Sequence, residues 1–432
     1  MAVEEGWERS REPIRIWEHR GKVALVGRGH SPTDRRWDGV SMDKTLGAYE
    51  IIAAKAAMED AGIKPDDVDG IITSAGGQPG GAPFGDTWGP VRPFFAPPYD
   101  SEDGLTSVTP EWLARQMGLK NVRYTYSRGG TIWHLMGLAA QLVGDGRCSV
   151  CLVPYPNGNL EGRYHQNPDT RARGGAQWTA PWGWGLSGQG YQFLQYCRKY
   201  GSNHDRMAPF VVQEHANGLL WPPSYYAQHE QQPFTVEDYV NGRWIAEGLS
   251  IFDCDRPVNT AACYIVTTAE RARNMKQKPV YILDHTETNG SQIPPRSLVQ
   301  TLEEAEEATD IMARKAYAGS GLRPGDIDVF EPYDGFAVFT QYFLEAFRWR
   351  GVKRGEAHDF YAGDITPQGP NPFCTGGGNM GSGRMRTAYF SDGMEQIQQR
   401  AGPRQARKAD IVVIIGQTPS AAATIVMSST PN

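Results

Sequence analysis

The run Cys374-Thr-Gly-Gly-Gly-Asn-Met-Gly-Ser-Gly-Arg384 gathers five glycines, at 376, 377, 378, 381 and 383. A loop so rich in glycine is mostly backbone, so it can line a cavity and offer N–H donors to an oxyanion. A nucleotide-phosphate loop would need G-x-x-x-x-G-K-[ST], or G-x-G-x-x-G between a strand and a helix, and neither is present. A second polar run, Glu331-Pro-Tyr-Asp-Gly-Phe336, follows an apolar strand-like stretch, and strand-end loops usually carry function. A tyrosine there is both donor and acceptor. With a pKa near ~10 it serves as acid or base once that pKa is lowered. The competing reading of Tyr333 is a packed ring with its hydroxyl satisfied. The nine histidines (19, 30, 134, 165, 204, 215, 229, 285, 358) form no H-E-x-x-H and no close pair, so the sequence gives metal catalysis no support. His134 is expected to face the core or a dimer surface. Cys148 and Cys151 make a lone C-x-x-C inside an apolar run. With no second ligand pair at a suitable spacing, they read as buried strand cysteines.

These residues are positioned by a duplication. Lys55-Ala-Ala-Met-Glu-Asp-Ala-Gly-Ile-Lys-Pro-Asp-Asp-Val-Asp-Gly-Ile71 recurs as Lys315-Ala-Tyr-Ala-Gly-Ser-Gly-Leu-Arg-Pro-Gly-Asp-Ile-Asp-Val-Phe330. Gly62 pairs with Gly321, Pro65 with Pro324, Asp67 with Asp326 and Asp69 with Asp328, always at the same offset. Each copy reads as an alanine-rich helix, a glycine C-cap, a proline-led turn and a buried strand. A looser correspondence links the helix Ile132 to Val143 and the strand Cys148 to Val153 with Met394 to Ala409 and Ile411-Val-Val-Ile-Ile415. Short continuous apolar runs after amphipathic helices predict parallel strands covered on both faces. The organisation expected is an N-terminal extension (1–20), an α/β half over 21–290 and a second half over 291–432. The first half carries an insert at about 154–250. That insert is rich in Trp, Tyr, Gly, Pro and Gln, as in Trp178-Thr-Ala-Pro-Trp-Gly-Trp184 and Trp221-Pro-Pro-Ser-Tyr-Tyr226, and is expected to pack as a loop-rich lid between the halves. Gly76 to Ser107 reads as a second surface excursion.

Composition narrows the function. The 432 residues include 40% hydrophobic and 21% charged residues, enough apolar surface for a large core and too few charges for general disorder. A net charge of −6 without a long basic run argues against nucleic-acid or anionic-membrane partners. Met1 to Arg20 is charged throughout and lacks an apolar h-region, and nowhere do ~18 consecutive apolar residues occur. A soluble, cytoplasmic protein is expected, and six cysteines in such a chain do not form a disulfide framework.

Val23-Ala-Leu-Val-Gly-Arg-Gly29, Ala53 to Thr73 and the repeat near Lys315 resemble the thiolase superfamily over nearly the whole chain, least across 154–250. The sequence is most similar to the sterol-carrier-protein-type thiolases and the thiolase-like steroid side-chain aldolases. The resemblance implies a thiolase α/β fold: a duplicated, five-layered αβαβα core with an inserted loop domain, usually in a homodimer. Thiolases carry three chemical devices. The first is a nucleophilic Cys at a helix N-terminus, where the helix dipole favours thiolate. The family's Cys-Ser-Thr-Gly motif falls on Gly129-Gly-Thr-Ile132, so Gly129 stands at the nucleophile position with Gly130 beside it, and flanking Ser127 and Thr131 have no evident base. The second is the histidine of His-Asp-x-Phe, which here is Tyr333, followed by Asp334. The steroid aldolases also carry a Tyr-Asp pair there. The third is the histidine of Gly-His-Pro, where this sequence has Arg384 after Gly383.

Without the Cys and both histidines, a Claisen condensation has no machinery. What remains suits retro-aldol cleavage of a 3-hydroxyacyl-CoA. A base takes the β-hydroxyl proton, Cα–Cβ breaks, and donors stabilise the thioester enolate before Cα is protonated. The resemblance thus implies Tyr333 and Asp334 as catalytic residues, with Gly129, Gly130, Gly377, Gly378, Gly383 and Arg384 around the thioester oxygen. Gly129 also opens room for a branched β-carbon such as a steroid ring carbon. No cofactor is expected beyond the CoA of the substrate; zinc is expected only in a small zinc-ribbon and OB-fold partner protein of the kind relatives work with. Two rivals stay open: a non-catalytic thiolase-like scaffold subunit, and an acyl-CoA acyltransferase or condensing enzyme with another nucleophile such as Thr131. The acyl group, the general base and the need for a partner are left open by the sequence.

Overall fold

A computed structural model describes residues 15–36, 38, 41–74, 108–127, 131–157, 187–287, 301–419 and 422–432. Gly129, Gly130, the excursion from Gly76 to Ser107 and the aromatic run Trp178–Trp184 lie outside the described residues. In chain order, β1 (Val23–His30), α1 (Leu46–Ala61) and β2 (Gly70–Ile72) are followed by α2 (Pro110–Met117) and β3 (Tyr124–Tyr126). Next come α3 (Ile132–Gly144), β4 (Val150–Asn157), α4 (Ser187–Tyr200), α5 (Ala208–Leu219) and the small pair β5 (Trp244–Ala246) and β6 (Leu249–Ser250). The chain then returns through β7 (Thr260–Thr268) and β8 (Val280–Glu287). It ends with α6 (Leu302–Ser320), β9 (Val329–Pro332), α7 (Thr340–Phe347), α8 (Ala388–Ile397), β10 (Ile411–Gly416) and β11 (Ala423–Ser428).

Nine strands form one sheet in the order β3-β2-β4-β7-β1-β8-β11-β10-β9. Outward from the β1–β8 contact, the order β1, β7, β4, β2 on one side mirrors β8, β11, β10, β9 on the other. The two central strands are antiparallel, with Val23 opposite Ile282 and Leu25 opposite Val280, as an approximate two-fold axis between the copies requires. By sheet position β8 matches β1, so the strand just before residue 290 opens the second array. The parallel expectation holds for β2 with β3 and β4 and for β9 with β10. It is corrected for β1, β7, β8 and β11, which pair antiparallel throughout. Strand β4 is buried along its whole length. Its Val150 and Leu152 pack toward α1 and α2, while Cys151 and Val153 join the larger core containing α3 and the second array. Alternation on one strand thus serves two layers, which is why its sequence is a continuous apolar run.

The repeated residues have the same structural task in both copies. Gly62 and Gly321 end α1 and α6 in the left-handed region, at φ 72° and 74°, which a glycine adopts without a Cβ penalty. Asp67 accepts from the Lys64 N–H (2.8 Å) and Asp326 from the Arg323 N–H (2.7 Å), closing the turn led by each proline. Asp69 accepts from the Ser149 and Val150 N–H groups, and Asp328 from those of Asp410 and Ile411. Each ties the start of one parallel strand to the next. The looser correspondence needs one correction. The helix before β10 is Ala388–Ile397, and 398–409 is an irregular connection, with Gln399 at φ 60° and a short turn at Gly402-Pro403 where a helix cannot continue. Trp17, within the N-terminal extension, belongs to the core. The Trp17 indole is buried between α3 and the second array, donating to Gln141 Oε1 (3.0 Å), while its backbone N–H bonds the Gly319 carbonyl (2.9 Å).

Candidate functional site

Strand β9 delivers Tyr333, Asp334 and Gly335 to the edge of the core. The Tyr333 ring stands edge-on to Trp133, in the first turn of α3, at 5.8 Å between centroids. Its hydroxyl lies over Gly335, where a Cβ would come within 2.1 Å of the oxygen. Any other residue at 335 would displace the phenol. The next stretch runs beside residues 254–255. Cys254 and Phe336 form an antiparallel bridge, and the Asp255 N–H donates to the Gly335 carbonyl at 3.2 Å. Asp255 is thereby brought alongside Tyr333. Arg384 approaches from the glycine-rich loop, its Nε 3.8 Å from Asp255 Oδ2. Arg386 donates to the Tyr155 hydroxyl at 3.2 Å.

Electrostatics fix the state of the phenol. Burial first, then the Asp255 carboxylate, push the Tyr333 hydroxyl up to about 12, with Arg386 and Arg384 acting the other way. The condition under which this tyrosine would be a base, a lowered pKa, is therefore reversed. At neutral pH Tyr333 is a neutral hydrogen-bond donor.

Asp334 faces inward. Its carboxylate accepts from the Asn379 N–H (2.8 Å), the Met380 N–H (2.9 Å) and the Tyr389 hydroxyl. Burial pushes its pKa up, and these hydrogen bonds oppose that. It acts as the fastener of the glycine loop. Behind it stands Glu214 of α5, fully buried, with a pKa driven far above the carboxylate range by burial and then by Asp334. The loop itself is pressed onto α5. A Cβ at Gly381 would lie 1.9 Å from the Glu214 carbonyl oxygen, and one at Gly378 would lie 2.3 Å from Asp334 Oδ2.

The expected backbone donors are accordingly corrected in part. The Gly377 and Gly383 N–H groups bond inside the loop to the Cys374 and Asn379 carbonyls, both at 2.9 Å. The glycines serve close packing. A donor remains on a side chain that sequence reasoning passed over: Asn379 accepts the Arg386 N–H at its Oδ1 (2.8 Å), so its buried Nδ2 is the end without a partner. The Trp133 indole N–H is likewise buried without a partner.

Around the thiolase nucleophile position, Thr131 caps α3 and its hydroxyl accepts from Gln417 Nε2 at 2.7 Å. An amide is no base, so this hydroxyl is not activated. His134, one turn on, bonds Glu287 (3.0 Å) and the Tyr126 hydroxyl (3.3 Å). It is half-buried and part of a polar network. The two cysteines nearest the site, Cys254 and Cys374, have thiols pushed well up by burial, so neither provides a thiolate. The Cys148 thiol is lowered by a hydrogen bond from its neighbour Cys151, yet both are buried at the start of β4 beside Gly70. Among the described residues no group of three His, Cys, Asp or Glu side chains is arranged to hold a metal ion, and no helix is long and apolar enough to cross a membrane.

Residues 290–429 match the family described as "Thiolase C-terminal domain-like". The chain is similar to a 17-hydroxy-3-oxo-4-pregnene-20-carboxyl-CoA lyase of Mycobacterium tuberculosis, 28% identical over 92% of this chain and 94% of that protein. It is also similar to a steroid side-chain-cleaving aldolase of Thermomonospora curvata, 26% identical over 76% of this chain and 79% of that one. Among solved structures, that of the "Ltp2-ChsH2(DUF35) aldolase" superposes with a TM-score of 0.73 at 22% identity, covering 94% of this chain and 98% of the other. The mirrored sheet, the matched C-terminal region and these relatives converge on the thiolase superfamily, to whose sterol-carrier-protein-type branch and steroid aldolases the chain is similar.

Proposed function

We propose that this protein is a carbon–carbon lyase that cleaves a tertiary 3-hydroxyacyl-CoA, of the steroid side-chain kind, by a retro-aldol reaction. The observation that carries the reading is the neutral Tyr333 phenol beside the Asp255 carboxylate, where a thiolase keeps histidine, with no thiolate nearby. That arrangement suits proton transfer and stabilisation of a thioester enolate without an acyl-enzyme. The names of the two relatives, a CoA-ester lyase and a side-chain-cleaving aldolase, support the same reaction class. The reading calls for no cofactor beyond the CoA of the substrate. A cytoplasmic setting suits such a substrate. The solved aldolase bears two protein names, Ltp2 and ChsH2, which supports a partner subunit here; zinc, as part of the same proposal, belongs to that subunit alone. Among the described residues β3 is the outermost strand at one end of the nine-stranded sheet, and that edge is where a second copy would pair.

The test is incubation of the protein, alone and with a co-encoded partner, with 3-hydroxyacyl-CoA thioesters of branched and steroidal acids. Release of a ketone together with a shortened acyl-CoA is expected, and intact-mass spectra should show no acyl adduct on any cysteine or on Thr131. A stable acyl-enzyme would convert the reading to acyl transfer. Absence of cleavage with every thioester and partner would leave a scaffold subunit.

A further inference from the structure

Four acidic side chains surround the strand-end loop, and their exposure and their place relative to Tyr333 separate them. Asp334 is closed in by two backbone N–H groups and the Tyr389 hydroxyl, with no solvent exposure. Glu214 lies behind it, buried and held neutral. Asp253, also at 0% exposure, accepts from His204 (2.6 Å), from Tyr239 (2.5 Å) and from the Ser250 N–H (2.6 Å). Asp255 differs: its backbone bonds the residue that lies under the Tyr333 hydroxyl, its charge acts on that hydroxyl, and both residues keep a trace of exposure, 7% and 9%. Its backbone is fixed by the Gly335 carbonyl, beneath the phenol oxygen. Arg384 stands 3.8 Å away, while neighbouring Arg256 is engaged by Glu230 and the faces of Tyr225 and Tyr226.

We propose that Asp255 is the general base of the cleavage and that Tyr333, beside it, is the acid that works with it. The proposal rests on the retro-aldol reading above and supplies the base that reading lacks. The Asp255 carboxylate removes the β-hydroxyl proton; the O–H electron pair becomes the carbonyl π bond of the departing ketone; the Cα–Cβ pair passes into the thioester enolate. Tyr333 donates its proton to Cα and recovers one from the Asp255 carboxylic acid, so both groups end as they began and no co-reactant is consumed. The division follows from chemistry: a phenol beside a carboxylate is a poor base and a good donor, and a carboxylate is the acceptor of the pair.

The measurement is kcat and KM for Asp255→Asn and Asp255→Glu on a tertiary 3-hydroxyacyl-CoA that the wild type cleaves, with the partner wild type requires. Melting curves and the affinity for the product acyl-CoA are recorded for each variant. Asp255→Asn should lose roughly 10²–10⁴-fold in kcat with little change in product affinity. Asp255→Glu should recover part of the rate, with the acid limb of its pH–rate profile displaced. In the residual activity of Asp255→Asn that limb should be absent. Wild-type cleavage with an Asp255→Asn rate within about threefold would overturn the base and leave the lyase standing. No wild-type cleavage would overturn the lyase and the base together. Should the Asn variant fail to fold, an unshifted acid limb in a folded Asp255→Glu would equally defeat the proposal.

Discussion

At Tyr333 the side chain's chemistry is decided by its neighbours. Its pKa is pushed up to about 12, so the phenol stays protonated across pH 6–10 and contributes no basic limb there. Tyr333→Phe keeps the ring against Trp133 and deletes only the donor. Turnover of a 3-hydroxyacyl-CoA should fall by roughly 10²–10⁴-fold, as for loss of a positioned acid, with an unchanged melt. An unaltered rate would remove Tyr333 from the reaction. A second residue illustrates the cost of burying an acid. Glu50 of α1 is fully buried, both carboxyl oxygens lack partners, and burial holds its pKa well above the usual range. The folded chain therefore keeps a proton that the unfolded chain releases above pH ~4.3. Stability from this site falls as pH rises from there toward the folded pKa. Glu50→Met should raise the Tm, by more at pH 8 than at pH 5. A lower Tm at pH 8 would show that the carboxyl has an undetected partner.

The glycine-rich loop is the element that depends most on exact packing. Gly218 and Gly381 meet backbone to backbone: a Cβ on Gly218 would lie 1.8 Å from the Gly381 carbonyl oxygen, and one on Gly381 would lie 1.9 Å from that of Glu214. Gly381→Ala must separate the loop from α5, an overpacking that costs roughly 1–3 kcal/mol or more. It should lower the Tm and displace the Asn379 and Met380 N–H groups from Asp334, with loss of activity. Gly325→Ala, where a Cβ would meet nothing within 4 Å, is the control and should change the melt by less than about 0.5 kcal/mol. Equal melts for the two variants would show that the close contact relaxes freely.

Across the whole molecule, the two arrays are joined by more than the short β1–β8 pairing. Trp17 bridges them, with its ring 4.9 Å from His285 and its polar groups bonded to Gln141 and Gly319. Arg20 Nε adds a bond to the Ser320 carbonyl at 2.7 Å. A segment read from sequence as an extension is, from this residue on, a clasp across the core. Trp17→Ala should cost roughly 3–5 kcal/mol, measured by denaturant titration. A cost under about 1 kcal/mol would mean that the arrays hold together without it.

The sequence by itself determined the duplication, because Gly62 with Gly321, Asp67 with Asp326 and Asp69 with Asp328 answer to local backbone needs: a left-handed cap, a turn closure, a strand tie. Such needs recur wherever the same element recurs, so they are legible as spacing. The strand-end position of Tyr333 was legible in the same way, through motif context. Only the tertiary structure decided what the site residues do. The turning inward of Asp334, the pressing of the glycine loop onto α5 and the placing of Asp255 beside Tyr333 depend on segments far apart in the chain. A pKa and a hydrogen-bond partner are properties of such neighbours in space, and no residue type or spacing along one segment encodes them.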